Sequence, residues 1–157
     1  MKNIFLLAIL LISPHTFADQ LLTFGHSEKL FSKVLNEERT LLIKLPEGYE
    51  NTKDTRYPVV YTLDGTTHFH HVAGTMQWLS DVAGISPQHI VVALVTENGL
   101  QRARDFTMRD KGITKENGIE LGGGDNFIKF LSGELIPYID RKFQTNNFKT
   151  LSAHSAG

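Results

Sequence analysis

The chain has 157 residues, 41% of them hydrophobic and 21% charged, with a formal net charge of −1. These are the proportions of one ordinary globular domain, and the near-neutral balance excludes a broad basic field for nucleic acid. There is no cysteine, which excludes disulfides, thiolate metal sites, a cysteine nucleophile and a lipidated N-terminal cysteine.

The N-terminus reads as an export signal. Met1-Lys2-Asn3 carries one positive charge, Ile4 to Ile12 is an unbroken apolar run, and Thr16-Phe17-Ala18 puts small residues at −3 and −1 of a cut before Asp19. Nine apolar residues are too few for a bilayer span, which takes about 20. The expectation is a signal peptide over 1–18 and a periplasmic or secreted chain over 19–157, with no stable membrane span after cleavage.

Leu30 to Leu35 and Leu41 to Leu45 read as two strands joined by a turn at Asn36-Glu37-Glu38. A polar loop, Pro46 to Arg56, follows. Pro58 to Leu63 is a continuous β-branched and aromatic run, as expected of a strand buried on both faces, and Asp64-Gly65 ends it. From Phe69 to Ala83 the period is helical, with Phe69, Val72, Ala73, Met76, Leu79, Val82 and Ala83 on one face and Gly84 as the stop. His89 to Val95 is the next buried strand, and Thr96 to Gly124 reads as a long polar loop.

Asp125 is placed to cap a helix in which Phe127, Phe130, Leu131, Leu135 and Ile139 share a face. Pro137 should kink it, since it cannot donate to the Gly133 carbonyl. Phe148 to Ser152 is the last strand. The order β-β-β-α-β-α-β predicts an α/β fold with a mostly parallel sheet and an antiparallel start. Ligands in such sheets sit at the carboxyl ends of the strands, where Asp64-Gly65-Thr66, Glu97-Asn98 and Ser155 all fall.

Ala153-His154-Ser155-Ala156-Gly157 follows that last strand and reads as a nucleophile elbow, G-x-S-x-G with Ala at the first position. A serine hydroxyl is a poor nucleophile unless a tight turn holds it clear of the sheet, near a base and oxyanion donors. Small residues two before and two after it let strand and helix pass closely.

The elbow, Leu63-Asp64-Gly65, Arg102-Ala103-Arg104-Asp105-Phe106-Thr107 and Glu134-Leu135-Ile136-Pro137-Tyr138 occur in an order that resembles the esterase family of the α/β-hydrolase superfamily. That group holds the enterochelin and siderophore esterases and the esterase D relatives. The resemblance runs from Ser32 to Gly157 and implies the α/β-hydrolase fold and hydrolysis of a small-molecule carboxylic ester through an acyl-enzyme. Family members continue past the serine through further strands, an acidic triad residue and a histidine. The resemblance therefore implies an N-terminal part that lacks the C-terminal part of the fold and is inactive by itself. Acyl transfer, or a non-catalytic module binding an ester or glycan, are the alternatives.

The resemblance makes Ser155 the nucleophile, with the backbone N–H groups of Thr66 and Ala156 as oxyanion donors. His68, Arg102 and Arg104 are candidates to line the substrate pocket. His68 and His71, one helical turn apart, invite a metal reading, but no carboxylate completes the set, so no metal is expected. No organic cofactor is implied either. His154 neighbours the serine on a strand end and should point to the opposite side. Arg102, Arg104 and Asp105 either pin their loop as a local ion-pair cluster or meet a polar substrate. Gly122-Gly123-Gly124 lacks the Lys-Ser/Thr of a phosphate loop.

Overall fold

A computed structural model describes residues 23–51, 53–109 and 112–157. The expected export signal lies outside the described residues. A five-stranded sheet forms the centre: β1 (His26–Ser32), β2 (Glu37–Lys44), β3 (Tyr57–Thr62), β4 (Ile90–Leu94) and β7 (Thr145–Ser152), in the order β1-β2-β4-β3-β7. β2 runs antiparallel to both β1 and β4, while β4, β3 and β7 are mutually parallel. This is the mostly parallel sheet with an antiparallel start that the element order predicts.

Side-chain alternation divides the core between the two sheet faces. Val60, Val91 and Ala93 point to one face, where Phe69 and Ala73 of α1 (Gly65–Gln77) cover them. Val59, Tyr61, Ile90, Val92 and Leu94 point to the other, with Leu41 and Ile43 of β2. That second face is covered by Phe127 and Phe130 of α3 (Gly124–Phe130) and by Leu135 and Ile139. β3 and β4 are buried along their whole length, as their uninterrupted apolar runs require.

Several boundaries differ from the sequence expectation for physical reasons. β1 begins four residues before Leu30, because ladder pairing from His26↔Ile43 to Ser32↔Glu37 carries a segment with little hydrophobic signal. The turn falls at residues 33–36 and ends on Asn36 at φ 53, a left-handed position that Asn tolerates. α1 starts at Gly65, four residues before its apolar period begins, and closes through a π-helical turn at Trp78–Val82. Val82 is 72% exposed, so it does not share the buried face assigned to it.

The polar stretch 96–124 is not one loop. It holds α2 (Gly99–Asp105), capped by Asn98, whose Oδ1 accepts from Leu100 N at 3.0 Å and Gln101 N at 2.9 Å. It also holds a small hairpin, β5 (Thr114–Glu116) and β6 (Ile119–Leu121). The helix after it is capped by Gly123, not by Asp125, which lies in its first turn. Where the sequence predicts a kink at Pro137, the backbone stays right-handed helical and changes type instead: a π-helical turn at Leu131–Leu135 lies between α3 and α4 (Ile136–Lys142), with the proline in the first turn of α4.

Candidate active site

β7 ends at Ser152, and a turn closed by Gly157 N donating to His154 O at 3.1 Å follows it. Ser155 sits in this turn at φ 61 and is exposed. Left-handed backbone costs a non-glycine residue on the order of 1–3 kcal/mol, and such strain gathers at functional positions. The neighbouring strand makes the matching turn: Leu63 N donates to Ser152 O at 3.0 Å, and Asp64 then adopts φ 52. α1 starts immediately after, with the Asp64 carbonyl accepting from Thr67 N at 2.9 Å and His68 N at 3.0 Å.

Thr66 N–H lies too early in α1 for an intrahelical partner. Neither it nor Ala156 N–H has a hydrogen-bond partner among the described residues. Gly65 is required where it stands: a Cβ there would lie 2.8 Å from the Leu94 carbonyl oxygen and 3.1 Å from the Ala93 Cβ. The first turn of α1 is therefore laid directly on the end of β4. Between the ends of β3 and β4 opens a cleft of about 560 Å³ lined by Asp64, Thr66, His68, Glu97, Asn98 and Arg102, among others, with the Ser155 turn beside it and not among its lining residues. The carboxyl ends of β3, β4 and β7 thus meet at one edge, the place where this fold class binds ligands.

The Esterase family model, described as "Putative esterase", matches residues 32–157. The chain belongs to this esterase family. It is 30% identical over 139 residues to the ferri-bacillibactin esterase BesA of Bacillus subtilis, covering 78% of this chain and 47% of that protein. Among solved structures it is similar to an IroE-like serine hydrolase from Shewanella oneidensis, at 36% identity and a TM-score of 0.74, over 85% of this chain and 43% of that one. It is also similar to the BES protein from Bacillus cereus, at 27% identity and a TM-score of 0.73, over 89% and 55%. The fold is that of the α/β-hydrolases, and the chain spans about half the length of these relatives.

In this member of the esterase family the strings that carried the resemblance have structural work. Glu134 of Glu134-Leu135-Ile136-Pro137-Tyr138 anchors the β1–β2 turn, accepting from Ser32 Oγ at 2.5 Å and Lys33 N at 3.0 Å. Arg104 and Asp105 join a buried network with β2. Arg39 Nη1 donates to Asp105 Oδ2 at 2.6 Å, and Arg104 Nη2 to Glu37 Oε1 at 2.6 Å. Asp105 also accepts from Arg104 Nε at 2.8 Å. The hydrogen bonds it donates to Glu37 hold the Arg104 guanidinium well above its ordinary range, against burial.

Arg104 is therefore not placed as a lining residue of the cleft. It borders a different recess, with Glu37 and Lys115, and its charge is spent on carboxylates of the chain itself. Arg102 leaves the local cluster that its sequence position suggested. It does line the cleft, but its Nε donates to both Asp64 oxygens, at 3.1 and 2.9 Å, and its Nη2 to His154 O at 3.2 Å. The Asp64–Arg102 pair escaped the sequence reading because the partners stand 38 residues apart.

His68 lines the cleft and stacks edge-on against His71, with ring centroids 5.1 Å apart. His154 comes within 5.8 Å of the His68 ring, so the residue before the serine turns toward α1. Among the described residues no group of three or more His, Cys, Asp or Glu is arranged to hold a metal ion. None of their helices is long and apolar enough to cross a membrane.

Proposed function

We propose that this chain carries the nucleophile and oxyanion donors of a serine esterase. Ser155 Oγ attacks the carbonyl carbon of a carboxylic ester. A general base outside the described residues takes the serine proton, the carbonyl oxygen becomes an oxyanion between Thr66 N–H and Ala156 N–H, the alcohol departs with that proton as the tetrahedral adduct collapses, and water, activated by the same base, then releases the acid. The observation that carries this reading is Ser155 at φ 61 on the tip of a strand-end turn beside the start of α1. A turn of that shape lifts a serine out of the sheet, and little else requires a non-glycine residue there.

Ser155 Oγ has no hydrogen-bond partner among the described residues, and the imidazoles nearby stack on one another. This supports a reading in which the general base lies outside the described residues, and residues 19–157 expressed alone are expected to be inactive. The relatives include a protein named for ferri-bacillibactin hydrolysis, so the proposed substrates are siderophore-type esters. Hydrolysis is preferred to acyl transfer for the same reason. An exported mature form starting at Asp19, read by mass, supports the periplasmic or secreted location; an intact Met1 in the mature pool refutes it.

The test of the mechanism is a fluorophosphonate probe on the protein expressed from its complete reading frame. Labelling at Ser155, with labelling and ester turnover both lost in Ser155→Ala, is the expected result. Unchanged turnover in Ser155→Ala would reject the assignment.

A further inference from the structure

Asp64 is the residue before the first turn of α1, and its side chain does not do what an aspartate there ordinarily does. An Asp at the N-cap accepts a hydrogen bond from the backbone N–H two or three residues on, with its backbone extended. Those donors here are Thr66 and Thr67. Asp64 instead stands at φ 52, ψ 50, and its side chain makes no capping bond. Both its oxygens lie against Arg102 Nε, at 3.1 and 2.9 Å, in a pair whose aspartate side chain is only 13% exposed.

The same guanidinium reaches the serine turn. Its Nη2 donates to the His154 carbonyl at 3.2 Å, and its carbon stands 5.2 Å from the Phe106 ring centroid. Phe106 Cε2 in turn lies 3.5 Å from where a Cβ on Gly157 would be. One side chain from α2 thus touches the turn that carries Thr66 and the turn that carries Ser155 and Ala156. Among the described residues the other ties between these two segments are the backbone bond from Leu63 to Ser152, the Leu63 side chain close to Gly157 and the His68–His154 ring contact.

We propose that Arg102 is a positioning residue that keeps the oxyanion donors free and in register, by holding the Asp64 carboxylate off Thr66 N–H and holding the His154 carbonyl in place. The inference rests on the reading of Thr66, Ser155 and Ala156 given above. Without the guanidinium, the Asp64 carboxylate is a tethered anion beside an open donor at a positive helix end. From its left-handed backbone the freed carboxylate then swings toward Thr66 N–H and occupies the place of the oxyanion. The loss is specific to the transition state, because the ground-state ester gains little from those donors.

The experiment measures kcat and KM for a p-nitrophenyl ester with the protein expressed from its complete reading frame. Arg102→Gln is expected to lower kcat about 10²-fold, the size of losing one oxyanion donor, with KM changed by no more than about threefold. The double variant Arg102→Gln/Asp64→Gly is expected to recover at least about tenfold of that kcat, since the occluding carboxylate is gone and glycine accepts the left-handed backbone. A purely structural brace predicts the reverse, a double variant as poor as the single or poorer.

If Arg102→Gln does not fold, Arg102→Lys replaces it. One ammonium cannot serve both Asp64 and the His154 carbonyl, so kcat falls about tenfold with KM held and Asp64→Gly again restores it. Normal kcat in the folded Arg102 variant, a loss confined to KM, or no rescue by Asp64→Gly each overturns the proposal. Activity that survives Ser155→Ala would instead sink the serine reading itself, so the two failures are distinguishable.

Discussion

Tyr61 is a buried polar residue whose hydroxyl finds no hydrogen-bond partner among the described residues. It points into the face of the sheet covered by α3 and α4, where its ring fills core volume. Burial, with the negative charge of Asp140, pushes its ionisation far above the ordinary range, so it stays neutral at any working pH. An unsatisfied buried hydroxyl costs about 1–3 kcal/mol, and removing it while keeping the ring recovers part of that. Tyr61→Phe is therefore expected to leave the melting temperature unchanged or raise it, and a clear fall would show that the hydroxyl has a partner. Arg39 shows the opposite case. It is just as deeply buried, but Asp105 and Glu37 take its charge, and the rings of Phe127 and Phe130 lie 5.6 and 5.8 Å from its guanidinium carbon.

At the scale of elements, the site depends on how α1 and β7 meet the sheet. Gly65 lets α1 begin in contact with the end of β4. Gly65→Ala would force its Cβ to 2.8 Å from a backbone oxygen, which cannot yield as a flexible side chain does. We expect a loss of about 1–3 kcal/mol, the usual range for overpacking, read as a fall in the denaturant midpoint. The displaced turn would lower ester turnover as well, and wild-type stability in the variant would disprove the close approach. β7 pairs with β3 through a register shift between Tyr57↔Thr145 and Val59↔Lys149. Pro58 sits at that shift and has no N–H to donate, while Asn146 Oδ1 takes Phe148 N at 2.8 Å on the facing strand.

The helix and hairpin within residues 96–124 were partly legible. Asn117-Gly118, with both residues at positive φ, is the strongest short-range hairpin signal, and Asn98 before α2 is a good N-cap. Their apolar content is too low for periodicity to register, so the stretch reads as loop. The start of α1 at Gly65-Thr66-Thr67 was not legible, since glycine and threonine are weak helix formers. Contact with β4 and the turn at Asp64 decide it.

Across the whole molecule, pH response follows from groups whose ionisation the fold has moved. Burial raises Glu28, but hydrogen bonds from Lys142, Tyr138 and His26 outweigh it and hold it below its ordinary 4.5. Burial also raises Glu37, and Arg104 and Arg39 outweigh it in the same way, again to below 4.5. A depressed carboxylate stabilises the fold above its unfolded pKa, and that stability is lost as pH falls through the folded one. Burial lowers His89 from its ordinary 6.5, with the Pro87 backbone partly opposing. Its neutral form suits the folded state, so its contribution is likewise full above 6.5 and declines below. The melting temperature is expected to decline in two stages on acidification, the first beginning near 6.5 and the second below 4.5. His89→Gln should remove the first stage only; a first stage that persists in this variant would clear His89 of it.

The sequence by itself determined the fold class, the buried strands β3 and β4, the place of Pro137 where the helix changes type, and the family. These follow from local signals: continuous apolar runs, a residue that cannot donate, and strings of residues in a fixed order. It also marked Ser155, because a serine between small residues, a weak signal alone, stands at the end of a strand behind the strings that carry the family resemblance. Tertiary structure alone decided what the two arginines do. Arg102 and Arg104 are two residues apart on one short helix, yet one joins the turn at Asp64 to the turn at Ser155 and the other closes a network with Glu37 and Asp105. Both ends of those pairings are charged and short of local signal. Only the order β2-β4-β3-β7 brings residues so distant in the chain to one edge, where each charge takes the partner that burial leaves nearest.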